Sequence, residues 1–173
     1  LSYGGYRFEI VLLKGHTFGQ CGLYEPQKKL MFVGDQLMTT IVPIVGTQET
    51  DLGMLKCYMN SLGELKHKYK DCYFLPCHYG EIKNVEKEVN RIIFGYMEKC
   101  EIMKHVLEEA GTALTTRDIG VRTYGRSQGP PDYAHFASCT QIWAKTFSCM
   151  EYMMGEGFIE RSERDGIIYW KAL

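Results

Sequence analysis

The sequence carries almost no net charge. Twenty Lys and Arg offset twenty-one Asp and Glu, leaving −1 at pH 7. Bulk electrostatic attraction to nucleic acid or to an acidic membrane surface is not expected, which leaves only a local basic patch open. No apolar run reaches the ~20 residues that span a bilayer, and no basic, apolar, small-residue signal opens the chain. No C-x-x-C pair occurs among the seven cysteines, Cys21, Cys57, Cys72, Cys77, Cys100, Cys139 and Cys149. A zinc ribbon or a thioredoxin motif is therefore not expected. The odd count and irregular spacing point to free thiols in a reducing cytoplasm. No long repeat is present.

What is there reads as an ordinary globular chain. Of 173 residues, 45% are hydrophobic and 24% charged, enough for one compact domain or two small ones. Leu1 is not an initiator Met, and 6–13 already reads as a strand. The chain is expected to begin inside a structure.

Residues 6–13 alternate and then turn apolar, as a sheet strand does. Gly22, Leu23 and Tyr24 form a second strand, and 30–33 a third after the turn at Pro26. Thr50 and Asp51 can cap a helix, with Leu52, Leu55, Met59, Leu62 and Leu65 on its apolar face. Lys66, His67, Lys68 and Lys70 suit its C-terminus, and 72–75 is a short buried strand. Val85, Val89, Ile92, Tyr96, Met103, Val106 and Leu107 lie on one helical stripe, with Gly95 and Gly111 as its weak points. The remainder predicts a short helix over 116–121, a polar loop over 124–132, a long apolar helix over 138–154, and a hairpin from 157 to 171. Helix, helix, longer helix and hairpin is the order of a winged helix.

His16, Asp35 and His78 are the residues that suggest chemistry. Each follows a strand and sits at the edge of a loop containing glycine or proline. A sheet fixes backbone positions while its loops leave side chains free to converge. Two imidazoles and a carboxylate suit a borderline cation such as zinc, and a carboxylate can bridge two metals. Taken singly, each has an ordinary reading as a loop hydrogen-bonder or a turn residue. The three together favour the ligand reading.

The segments around them carry a resemblance. Gly15-His16-Thr17-Phe18-Gly19-Gln20 resembles the metallo-β-lactamase superfamily element G-H-T-P-G-H. Phe32-Val33-Gly34-Asp35 resembles the apolar strand ending in G-D, and Leu75-Pro76-Cys77-His78-Tyr79-Gly80 resembles L-P-G-H-G. The resemblance implies that His16 is a ligand of a first metal site, that Asp35 bridges both sites as the catalytic carboxylate, and that His78 belongs to the second. It implies two Zn2+ ions, with iron or manganese as alternatives, and a metal-bound hydroxide as nucleophile. Gln20, Cys77 and Phe18 depart from the family's usual His, Gly and Pro, and Cys77 replaces a residue at a backbone position that can favour glycine. The family's H-x-H-x-D-H motif is absent: His16, His67, His78, His105 and His135 are all the histidines, and none forms it. The chain is expected to hold a partial site and to be inactive alone.

Gly157-Phe158-Ile159-Glu160-Arg161 and the following 166–172 resemble the winged-helix tail of the β-lactamase-like endoribonuclease branch, and Tyr58-Met59-Asn60-Ser61-Leu62 resembles a segment of that branch between the bridging Asp and the last His. The candidate recognition helix has one basic residue, Lys145, among Ile142, Trp143, Phe147, Met150, Tyr152 and Met153. Groove-reading helices present several Arg, Lys, Asn or Gln, so sequence-specific DNA binding is not expected. Arg117, Arg122 and Arg126 could edge a phosphate-bearing substrate, and Tyr133 and His135, in a polar loop, could contact one.

The reading is α/β: the C-terminal part of a metallo-β-lactamase αββα sandwich over 1–83, its N-terminal half absent, then a helical winged-helix-like domain over 84–173. The expected function is metal-dependent hydrolysis of a small-molecule or phosphodiester substrate. The alternative is a non-catalytic interaction or nucleic-acid-binding module. Half a sandwich exposes apolar surface, so a homodimer is a further expectation.

Overall fold

The computed structural model describes residues 1–46, 53–125 and 133–173, with side chains from 138 onward in the last stretch. The chain divides into two compact units. Among the described residues, the first comprises Leu1–Gly46 and Met54–Gly95, the second Gly53 and the residues from Tyr96 onward.

In the first unit, β1 (Ser2–Tyr3) and β2 (Tyr6–Arg7) form a small hairpin ahead of β3 (Glu9–Leu12). The strand expected over 6–13 breaks at Phe8 because that residue pairs with the chain start. The Phe8 amide donates to the Leu1 carbonyl at 2.7 Å, and the Leu1 amine donates back to the Phe8 carbonyl at 3.0 Å. β4 (Cys21–Glu25) and β5 (Leu30–Gly34) follow, then α1 (Met54–Lys68) and β6 (Tyr73–Pro76). The order across the sheet is β3-β4-β5-β6, antiparallel except for the parallel β5–β6 pair. Helix α1 is the crossover that a parallel pair requires.

The sheet's two faces differ sharply. Leu13, Met31, Val33 and Phe74 are buried on one. On the other, Ile10, Leu23, Phe32 and Leu75 stand in one row across all four strands. Ile10 is 66% exposed and Phe32 38%. A one-sided sheet alternates apolar-in with polar-out, whereas here both faces are apolar.

Helix α1 buries Met54, Leu55, Tyr58, Ser61, Leu62 and Leu65. Met59, expected on that face, is half-buried, and Tyr58 takes the inward position. The capping residues Thr50 and Asp51, and Leu52, lie outside the described residues.

The stretch from Val85 runs unbroken as α2 (Val85–Ala110), with the Asn84 side chain accepting from the Lys87 amide at 2.9 Å as its cap. Gly95 does not interrupt it, and the division between the units falls at Gly95–Tyr96, within this helix, rather than at 83–84.

The second unit continues with β7 (Leu114–Thr115), α3 (Thr116–Tyr124), α4 (Tyr133–Gly155), β8 (Ile159–Arg164) and β9 (Ile167–Ala172). Its sheet order is β7-β9-β8, all antiparallel. Thr115 caps α3, accepting from the Asp118 amide at 3.2 Å and donating to its carboxylate at 2.7 Å. Trp170, fully buried, donates from its indole to Thr116 Oγ1 at 2.9 Å and meets Phe147 edge-to-face. Helix α4 starts five residues earlier than its apolar pattern suggests, since no helix breaker follows Pro131 in the sequence. Among the described residues no helix is long and apolar enough to cross a membrane, and all seven cysteines are free thiols.

Candidate metal centre

Three loops leave the first unit's sheet and bring His16, Asp35 and His78 together. His16 follows β3, Asp35 follows β5, and His78 follows β6. The Nε2 atom of His16 stands 3.6 Å from Asp35 Oδ2, and that of His78 stands 3.5 Å from Asp35 Oδ1. Both separations exceed the ~3.2 Å limit of a good N–H···O bond. They fit two donors sharing a cation, since ligands about 2.05 Å from a tetrahedral metal stand roughly 3.4 Å apart.

Each side chain is held for that role. His16 donates from Nδ1 to the Ile44 carbonyl at 2.8 Å. That bond fixes the proton on Nδ1 and leaves the Nε2 lone pair facing Asp35. Asp35 Oδ1 is buried and has no hydrogen-bond partner. A desolvated, unpartnered carboxylate oxygen is costly, and a cation between it and His78 would satisfy it. The residues thus fit a metal. Side-chain exposure is 28% for His16, 29% for Asp35 and 62% for His78, so the site opens on the His78 side.

The two pairs share Asp35 through different oxygens. The three residues therefore do not surround one point, and among the described residues no group of three His, Cys, Asp or Glu closes around a single ion. Held so, Asp35 could offer one oxygen toward each imidazole. Each position would need further donors. His67 lies at the C-terminal end of α1, and His105 pairs with Glu109 at 3.1 Å.

The local backbone explains why glycine flanks the site. Gly15 has φ 155°, and a Cβ there would run into the Tyr58 ring, 2.7 Å from the Tyr58 Cβ. Gly34 has φ 58°, and a side chain on it would displace the Gln20 amide. Gln20 uses that space to donate to the Val33 carbonyl at 3.2 Å, tying the His16 loop to the end of β5. The β5–β6 register slips between Phe32 and Gly34, immediately before Asp35. Such an irregularity re-aims side chains at a strand end. Cys77, expected at a backbone position that favours glycine, has no positive φ. The left-handed residue is Tyr79, with φ 69°.

Gln36, Tyr58 and Ser61 support the centre; Tyr58 and Ser61 belong to the segment 58–62 that carried a resemblance, and Gln36 did not stand out in the sequence. Gln36 is fully buried and bonds to both Lys14 and His16 on the first loop. The Tyr58 hydroxyl donates to the Gln36 carbonyl at 2.8 Å, and Ser61 Oγ donates to the Lys14 carbonyl at 2.8 Å. From α2, Arg91 donates to the Met38 and Ile41 carbonyls at 2.7 and 3.1 Å, pinning the loop that carries Ile44. A Tyr-x-x-Ser spacing on the buried helix face was the available signal.

The other candidates belong to the second unit. Tyr133 and His135 fall in the first turn of α4 rather than in a loop, and their side chains lie outside the described residues. Arg126 is also outside them. Arg117 lines a groove of about 800 Å³ in the second unit with Trp143 and Phe147, and Arg122, on α3 of the same unit, is exposed. Lys145 is half-buried, and burial lowers its pKa. A partly desolvated ammonium is poorly suited to a nucleic-acid groove.

No protein-family model matches the chain, and no curated protein is similar to it in sequence. Solved structures do match. A metallo-beta-lactamase family protein from Thermus thermophilus aligns over 99% of this chain and 51% of its own, with a TM-score of 0.80 at 20% identity. A beta-lactamase domain protein from Burkholderia ambifaria aligns over 100% of this chain and 50% of its own, with a TM-score of 0.82 at 18% identity. The fold is the metallo-β-lactamase fold. The chain spans about half the length of either structure. At these identities the likeness concerns the fold.

Proposed function

We propose that the chain is the C-terminal part of a metal-dependent hydrolase of the metallo-β-lactamase superfamily, with His16, Asp35 and His78 as ligands of a two-cation centre. One observation carries the reading: the buried, unpartnered Oδ1 of Asp35 faces the His78 ring, while Oδ2 faces His16. Zinc suits the donor set, and iron or manganese share it. Such cations, when bound, acidify water and polarise a scissile bond. The chain's own part is to present donors. His16 keeps its Nδ1 proton on the Ile44 carbonyl, and Asp35 offers one oxygen to each side. The remaining donors would come from outside this chain, in line with the twofold length of the matching structures.

The β7-α3-α4-β8-β9 arrangement supports a winged-helix-like tail and, with it, a place in the endoribonuclease branch. A phosphodiester is then the substrate class. The half-buried Lys145 and the apolar face of α4 speak against a DNA-reading role.

The test is expression of the coding sequence extended upstream in frame. The extension is expected to contain an H-x-H-x-D-H segment and to confer metal-dependent phosphodiester hydrolysis that Asp35→Ala abolishes. Metal uptake without turnover of phosphodiesters, thioesters or lactones would favour the non-catalytic reading. No uptake at all would refute the metal centre.

A further inference from the structure

Beside the proposed ligands sits a side chain with an unusual set of partners. Gln36 is 0% exposed. Its Oε1 accepts from the His16 amide at 3.4 Å, and its Nε2 donates to the Lys14 carbonyl at 3.3 Å. Its backbone amide donates to the Val33 carbonyl at 3.1 Å, and its carbonyl accepts from Tyr58 at 2.8 Å. A backbone N–H and a backbone C=O on the His16 loop fix which end of the amide faces which group, because the reverse orientation would set donor against donor and acceptor against acceptor. The amide therefore reads the His16 loop from both sides of residue 15, while its own backbone carries Asp35.

We infer that Gln36 is a positioning residue that holds His16 and Asp35 in register for a shared cation, with Tyr58 locking Gln36 in turn; the inference rests on the metal-dependent reading above. Any buried amide must find partners; what marks this one is where they lie. Here every polar group of the residue joins an element of the centre: β5 through Val33, the His16 loop through Lys14 and His16, and α1 through Tyr58. Supports of this kind change metal affinity by about ten- to a hundredfold when removed.

The experiment compares the 15N-labelled protein extended upstream in frame, taken as wild type, with its Gln36→Met and Tyr58→Phe variants, first without metal and then titrated with Co2+. In metal-free wild type, His16 is expected to hold its proton on Nδ1. In Gln36→Met the His16 amide should exchange at least about tenfold faster, and the ring nitrogen shifts should move toward the mixed tautomers of free imidazole. Co2+ affinity should fall about tenfold or more, with an altered visible spectrum. Tyr58→Phe, which leaves the Gln36 side chain in place, should shift the same signals to a smaller extent, and it decides the matter should Gln36→Met fail to fold. Unchanged His16 exchange and tautomer in the variants would overturn the inference, as would equal Co2+ affinity in all three proteins, which would leave the metal reading standing. A wild type that takes up no Co2+ would sink the metal reading, and the metal-free signals would then decide the role of Gln36 by themselves.

Discussion

At residue 79 the backbone holds a tyrosine at φ 69°, in a region where a side chain costs roughly 1–2 kcal/mol. The strain sits directly after His78, whose ring meets that of Tyr79 edge-on with centroids 6.1 Å apart. Cys77 carries no such strain, since its φ is not positive. Tyr79→Gly should raise stability by about 0.5–1 kcal/mol after the greater chain entropy of glycine is offset. Cys77→Gly should lower it by about as much. Urea midpoints of the two variants test this, and a loss in both would remove the strain argument. At this scale the sequence was legible where a residue type is rare in its context. His16, Asp35 and His78 each follow a strand, which set them apart. Gln36 was not legible, because a glutamine after Gly-Asp looks the same whether solvated or buried.

At the scale of elements, α1 does more than bury a face. Its Tyr58 and Ser61 reach the loops of the centre. Spacing alone put Met59 inside; a shift of one residue in helical phase puts Tyr58 there, with a hydroxyl that needs a buried acceptor. Burial pushes the Tyr58 phenol well above its ordinary value near 10, although Arg91 opposes the shift. The folded phenol therefore stays neutral where the unfolded one ionises. Its contribution is complete below about pH 10 and falls as pH rises past that value. Tyr58→Phe should cost about 1–3 kcal/mol at neutral pH by orphaning the Gln36 carbonyl. It should also flatten the loss of stability between about pH 10 and 11. Denaturation midpoints measured against pH check both; parallel alkaline slopes for the two proteins would contradict the shift. Strands were readable from alternation, whereas their order across the sheet was not read from the sequence. The break at Phe8 was not, since it comes from a backbone pairing with Leu1. The true start of α4 was hidden because its first turn continues a polar stretch.

At the scale of the whole molecule, the uncovered sheet row is the telling feature. Ile10 and Phe32 stand exposed beside Leu23 and Leu75, on the face opposite Leu13, Met31 and Phe74. Apolar area of this kind favours association at roughly 25 cal/mol per Å² removed from water. The 173-residue chain should therefore self-associate with rising concentration in light scattering. Phe32→Glu should shift it toward monomer, and a monomer at all concentrations in the unsubstituted chain would contradict that. The fold class was legible because three short motifs fell in order on three strand ends. Two parts were expected from the sequence; a division at Gly95–Tyr96 lies inside a continuous helix and leaves no linker to read.

In the proposed centre Asp35 would offer its two oxygens to two cations, one shared with His16 and one with His78. Anomalous diffraction from crystals soaked in Zn2+ tests it most directly. The expected result is density about 2.0–2.2 Å from Asp35 Oδ2 and His16 Nε2, or from Asp35 Oδ1 and His78 Nε2. Ordered side chains at all three positions with the anomalous density elsewhere would contradict it.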